Sequence, residues 1–412
     1  MSKTKIKNIR ARQLIDSSGT KAIEIDINLR FNALGRAAVS LSSIANLTSD
    51  EVSHTLRLIN TDLQRLLKGK NTNDLSDLDQ FLLNYLDSKP NCRPLQSVIR
   101  AISMALLLAL ADSEKMPLWQ YAGLIMGKSS ANTLPLPSVE LLSQSPNNAK
   151  ALSAQSFFVI PIGASSFAEG LRWCQAVHKK AQELQIGQTD INDTQALEIL
   201  SRSIGQAGFQ PGIDVGIAVD FAASALKSVS GYHLKGSLTP YSRDELSGLL
   251  VDWLANYPII SIENPFSNDD LEGFTRLTWA VGKCTQIITN HSNRAKHDPF
   301  NSAAIQNAGN ALNLKLDIVA TLSTAEILLE TAKINGYGVM ISAETRSLDQ
   351  TIPIHLAVGW GINQIKFGPL INAQNVINWN EGVRIAEAIF EGNARSGQLD
   401  GALPSRSSFP WS

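Results

Sequence analysis

The nine residues "PIISIENPF" (258–266) decide how this chain is read. An isoleucine-rich run stops on Glu263, and Asn264 and Pro265 follow at once. That is the form of a buried strand delivering a polar side chain at its end. Two runs share the shape: "VGIAVDFAAS" (215–224) carries Asp220, and "TQIITNHS" (285–292) carries Asn290. Four more short β-type runs are "SFFVIPIG" (156–163), "ALNLKLD" (311–317), "GYGVMISAE" (336–344) and "INQIKFGP" (362–369). Helical stretches lie between them. "STAEILLETAKING" (323–336) has Ser323 as N-cap and Gly336 at its stop. Strands alternating with helices predict βα units and a parallel sheet. Seven runs at this pitch favour a closed (β/α)8-type barrel over an open sheet.

The first third has another texture. Residues 5–40 are β-rich, and "KAIEIDINLRF" alternates apolar and polar side chains from Ala22 to Phe31, the period of a half-buried strand. A helical stretch is predicted from about Thr48 to Leu86, opening with Thr48 as N-cap and Glu51 three residues on. Another helix covers roughly 94–113. The segment "GKSSANTLPLPS" (127–138) is rich in Ser, Gly and Pro and marks a boundary. The expected division is an N-terminal α+β domain over 1–130 and a barrel over 131–412.

The bulk properties agree with that plan. A chain of 412 residues suits one large barrel plus a smaller domain, and 44% hydrophobic residues supply a sizeable core. A net charge of -1 argues against nucleic acid or an anionic membrane as the main partner. Cys92, Cys174 and Cys284 have no metal-ligand or disulfide spacing and fit a reducing compartment. "MSKTKIKNIR" has no apolar run after it, so no signal peptide is expected. "AISMALLLALAD" (101–112) is shorter than a membrane span and reads as a buried helix. The expectation is a soluble cytoplasmic protein.

In barrels, chemistry sits where strands end and βα loops begin. Those ends, in order, are Asp220, Glu263, Asn290, Lys315, Ala343 with Glu344, and Lys366. Asp220, Glu263 and Asn290 are oxygen donors, the type a hard cation such as Mg²⁺ requires. Lys315 and Lys366 are amines, and a lysine beside a cation can act as a base. Any one of these residues alone reads as an N-cap or a surface group. The ordered set carries the signal.

The motifs around these positions resemble the enolase family over nearly the whole chain. "LIDSSGTKAIEIDINL" is similar to the family's DSRGNPTVEVD, and "GRAAVS" to its FRAAVPSGAS loop. "AQSFFVIPIGASSFAEGLRW" is similar to MQEFMILPVGAxSFxEAMR, "VDFAAS" to MDVAAS and "SIENPF" to SIEDPF. "LNLKLDIVATLSTAE" resembles LLLKVNQIGTLTE, "GYGVMISAETRSLDQT" resembles GWGVMVSHRSGETEDT, and "QIKFGP" resembles QIKTGAP. The resemblance implies a modified (β/α)8 TIM barrel with an N-terminal α+β capping domain, often dimeric. It implies dehydration of 2-phosphoglycerate to phosphoenolpyruvate with Mg²⁺. It also implies three acidic metal ligands, a lysine base, a glutamate acid and a second lysine on the substrate carboxylate. Asp220 and Glu263 align with two ligands, Lys315 with the base and Lys366 with the second lysine. The third ligand has become Asn290.

Elsewhere the pattern is lost. The metal-binding serine of the SGAST loop aligns with Ile44, the histidine of GGSHAGN with Asn147, and the glutamate of QEF with Ser156. The glutamate of VGDEGG falls on or near Thr189, with Asp190 beside it. The His-Arg-Ser of VSHRSGE reads Ala343, Glu344, Thr345, and the acid after the SIEDP ligand is Asn264. Glu344 at a phosphate-binding arginine's place turns attraction into repulsion, worth several kcal/mol at about 4 Å. Loss of the general acid typically costs 10²–10⁴-fold. Asn290 keeps an oxygen but loses a charge, so Mg²⁺ binding is expected to be weakened. Arg346 as a compensating cation and His291 as a substitute ligand are the weaker readings.

Two functions follow as expectations. One is a pseudoenzyme with a binding, assembly or regulatory role, a homodimer or higher homo-oligomer with a true enolase as a protein partner. The other is a Mg-dependent enzyme that removes a proton α to the carboxylate of a non-phosphorylated substrate, or a weak phosphopyruvate hydratase.

Overall fold

The computed structural model describes residues 3–72, 74–127, 133–144, 152–185, 191–290, 308–342 and 351–396, without the side chains of 392–396. Its contacts divide the chain into two compact units. One gathers the described residues of Met1–Ala131, Leu316–Leu328 and Ala343–Gly361; the other gathers those of Asn132–Lys315, Leu329–Ser342 and Ile362–Ser412.

The first unit opens with an antiparallel meander of β1 (Ile6–Ile15), β2 (Lys21–Leu29) and β3 (Leu34–Ser40). Its inner face is the apolar half of the alternation: Ile23, Ile25 and Ile27 are buried. Next come α1 (Ser49–Arg57), a π-helical turn (Leu58–Leu63), α2 (Gln64–Leu67) and α3 (Leu75–Asp87). Thr48 and Glu51 form the expected capping box at the start of α1. The single helix expected to run from Thr48 to Leu86 is interrupted. Lys68 leaves the helical region, Gly69 takes a positive φ of 83°, and Asp74 restarts the chain by capping Ser76.

Helix α4 (Leu95–Glu114) is the apolar stretch of the sequence. With its flanks it reaches 20 residues and a mean hydropathy of 1.6, long enough to cross a membrane, yet it is mostly buried against β2 and β3. Helix α5 (Leu118–Ile125) follows and packs on α11 (Ile352–Gly359). The segment after Lys315 is held within this unit by α3 and α4. Arg100 donates to the carbonyls of Asp317 and Val319, and Asp79 accepts from Ser103 Oγ and from the N–H and hydroxyl of Ser323.

The second unit is a closed eight-stranded barrel. Its strands are β4 (Leu136–Ser143), β5 (Ser156–Ile160), β6 (Gly216–Asp220), then, beyond a small hairpin of β7 (Lys227–Ser228) and β8 (Gly231–Tyr232), β9 (Ile259–Glu263), β10 (Gln286–Asn290), β11 (Ala311–Lys315), β12 (Gly338–Ser342) and β13 (Gln364–Phe367). The connecting helices are α6 (Phe167–Gln185) and α7 (Asp193–Gln206) between β5 and β6, α8 (Arg243–Asn256) before β9, α9 (Leu271–Val281) before β10 and α10 (Leu322–Ile334) before β12, with α12 (Ala373–Ser396) last.

All seven expected runs form barrel strands, and β4 supplies the eighth. The all-parallel expectation fails at one place: β5 runs antiparallel to both β4 and β6. The link from β4 to β5 is close to the minimum for a crossover, and Gln144 N–H already bonds the Gln155 carbonyl across it. The chain turns back instead, and two helices rather than one return it to β6. Inside the barrel, Ser261 bonds Gln286, Ser138 accepts from Gln364, and Ile288, Ala311 and Met340 pack together.

Candidate functional site at the barrel mouth

The strand ends are held by the ladder itself. Phe221 N–H bonds the Glu263 carbonyl, and Asn264 N–H bonds the Ile288 carbonyl, so β6, β9 and β10 stay paired beyond their last regular residues. Asp220 and Glu263 are direct register partners, both nearly fully buried. Across the barrel Lys366, on β13, reaches them. Its Nζ lies 2.8 Å from Asp220 Oδ2 and 2.5 Å from Glu263 Oε2, and 4.8 Å from the centre of the Phe158 ring. Lys315 Nζ stands 3.7 Å from Glu263 Oε1, with 28% of its side chain exposed against 15% for Lys366.

Amides bind the remaining oxygens. Asn313 Nδ2 donates to Glu263 Oε1 at 2.9 Å and is itself held by Ser342 Oγ at 2.8 Å. Asn264 Nδ2 lies 3.5 Å from both Asp220 Oδ1 and Glu263 Oε1. Asn264 has φ 49°, a left-handed conformation that Asn tolerates better than most residues. Asn290 ends β10 on the face of Ile288, half-buried, one pleat beyond the level of Glu263.

The two carboxyls respond differently. Burial raises both. For Glu263, Lys366, Lys315 and the Asn313 amide outweigh burial and hold the carboxyl below its usual range. For Asp220, burial and the charge of Glu263 outweigh Lys366, and its affinity for a proton rises. Burial lowers the hold of Lys366 on its proton, but Asp220 and Glu263 more than reverse this and favour the ammonium.

Sequence reading missed two members of the site. Ser156, where the family resemblance placed a glutamate, donates to Glu140 Oε2 at 3.1 Å. A carboxyl is therefore present, but on β4 rather than β5. Burial pushes the Glu140 carboxyl up, against the bonds from Ser143 and Ser156. An acid in the middle of "PSVELL" was the available signal. Asn313 was the other omission; it is two residues before Lys315 and so shares its face.

Ile44 lies in the first unit, half-buried in a turn, its N–H bonded to the Leu41 carbonyl. Asn147, Thr189, Asp190, His291, Ala343, Glu344, Thr345 and Arg346 lie outside the described residues.

The description "Enolase, N-terminal domain" matches residues 6–122, and "Enolase, C-terminal TIM barrel domain" matches residues 131–401. The chain belongs to the enolase family. It is 30% identical to "Enolase" of Mycobacterium leprae (strain TN), covering 96% of this chain and 97% of that one. It is also 30% identical to "Enolase 1" of Desulfitobacterium hafniense (strain Y51), covering 93% and 94%.

Enolases generally depend on magnesium. A magnesium site needs convergent oxygens carrying net negative charge. In this chain Asp220 and Glu263 already share an ammonium, Asn313 binds a further oxygen, and Asn290 brings no charge. Among the described residues no three His, Cys, Asp or Glu side chains converge on one point. The residues present do not fit a magnesium ion.

Proposed function

We propose that this chain is an enolase homologue that no longer dehydrates 2-phosphoglycerate and acts through binding, assembly or regulation. The observation that carries the reading is the pairing of both mouth lysines with the two buried carboxylates. Lys366 is tied to both acids, and Lys315 faces Glu263. Asp220 and Glu263 stabilise the Lys366 ammonium and oppose its loss of a proton. Ile44 replaces a side-chain oxygen that the resemblance places there, and Ser156 and Asn290 each replace a charged acid with a neutral group.

Assay of the purified chain with 2-phosphoglycerate and Mg²⁺ tests the reading. Turnover below about 0.1 s⁻¹ is expected, roughly a hundredfold under a typical enzyme. Turnover near 10 s⁻¹ would overturn it. The partial exposure of Lys315 favours one second reading, proton removal α to the carboxylate of a small non-phosphorylated acid. Solvent deuterium appearing in such an acid would establish that reading, and its absence over a panel would remove it.

A further inference from the structure

We propose that the first unit docks on an anionic lipid surface through the turn between β2 and β3 and the basic residues beside it. The proposal goes beyond the non-catalytic reading and uses none of the barrel-mouth residues. It starts from a backbone outlier. Phe31 sits in that turn with φ 60°, and Asn32 follows at 64°. Asn tolerates the left-handed region, whereas a bulky aromatic rarely enters it. The turn is nonetheless held there. Leu29 N–H bonds the Ala33 carbonyl, Arg30 N–H bonds the Lys5 carbonyl, and Leu34 N–H donates to Asp112 Oδ2. None of the three residues Arg30–Asn32 is buried. The Phe31 ring is left 77% exposed, with Leu34 41% exposed three residues on. Strain kept where it buries nothing points to a use outside the fold.

The free charges around the turn are of one sign. Ile6 N–H bonds the Lys70 carbonyl and Gly69 N–H bonds the Ile6 carbonyl, so residues 5–7 lie against residues 68–70. With Arg30 bonded to Lys5, this gathers Lys5, Lys7, Arg30, Lys68 and Lys70. Among the described residues none of these five forms an ion pair with an acid. The neighbouring acids are engaged: Lys3 meets Glu114, Lys115 meets Asp112, and Asp74 caps α3. The whole-chain charge of -1 averages over this patch and hides it. An exposed ring among unpaired cations suits the boundary of a bilayer, where ammonium and guanidinium groups meet anionic headgroups and the ring enters the headgroup layer. A turn with one exposed ring is a poor track for a nucleic-acid strand, which calls for a groove and successive stacking rings.

The test is flotation of the full chain with phosphatidylcholine vesicles, with and without about 30% phosphatidylserine, in about 0.1 M NaCl. Partition onto the anionic vesicles is expected to exceed that onto neutral ones at least about tenfold and to fall as salt is raised. The double variant Lys5→Glu/Lys7→Glu should cut it by about tenfold or more. Phe31→Gly should cut it by about fivefold while the protein unfolds at an equal or higher temperature, because glycine adopts the left-handed turn without strain. The control Lys179→Glu/Lys235→Glu changes the net charge equally at exposed positions of the second unit and should bind as the wild type does. Equal wild-type partition onto neutral and anionic vesicles overturns the proposal, and that measurement holds even if a variant does not fold. Equal loss in the control, or wild-type binding by Phe31→Gly, also overturns it. So does tight binding of a single-stranded oligouridylate without binding to vesicles. Turnover of 2-phosphoglycerate, measured separately, decides the non-catalytic reading whichever way these results fall.

Discussion

At the scale of single residues, the barrel mouth is an exercise in compensation. Asp220 and Glu263 are affordable in the interior only because Lys366, Lys315 and Asn313 meet them. Glu140 is the exception, since hydroxyls rather than a close cation meet it. Burial raises its proton affinity above the ordinary value of 4.5. The folded protein thus holds a proton that the unfolded chain releases once pH exceeds about 4.5, and stability falls as pH rises through that window. Glu140→Gln removes this penalty. Its stability relative to wild type is expected to grow between pH 4.5 and 7, as read by urea unfolding at several pH values. A constant difference across that range would show that Glu140 is ionised in the fold. Asp220, Glu263, Lys315 and Lys366 were legible as strand ends. Glu140 was not, because one acid inside an apolar strand reads equally as an exposed position.

At the scale of elements, close approach explains what periodicity does not. Strand β3 packs so tightly on α4 that a Cβ on Gly35 would stand 1.8 Å from the Ala105 carbonyl oxygen and 2.5 Å from the Ala109 nitrogen. Both are backbone atoms of a helix and cannot rotate away. Gly35→Ala is expected to destabilise the protein by about 1–3 kcal/mol or more, measured as a lower denaturant midpoint. Wild-type stability would mean that β3 and α4 stand further apart. The element inventory was largely readable from the alternation of β2 and the apolar runs of the barrel. The antiparallel β5 was not, because apolar runs carry no sign of direction. The break between α2 and α3 was not recognised either, although Gly69 and Asp74 are its ordinary marks.

At the scale of the molecule, the contacts cut across the chain order. Segments following β11 and β12 pack with the N-terminal unit, and Asp79 and Arg100 hold the first of them there. The formal charge is -1 at pH 7, with a pI of about 6.6. So little net repulsion favours self-association. We expect a homodimer or larger assembly whose mass by light scattering grows as pH is lowered from 8 to 6.6. A monomer at all these values would exclude it.

The sequence by itself determined the family and the barrel, because hydrophobic period and strand-end motifs are local and survive at 30% identity. Tertiary structure alone decided what those strand ends do to one another. Whether Lys366 meets a substrate carboxylate or the protein's own acids depends on distances of a few ångströms between residues far apart in the chain. Charge interactions in a buried site change steeply over such distances, and no linear pattern records them.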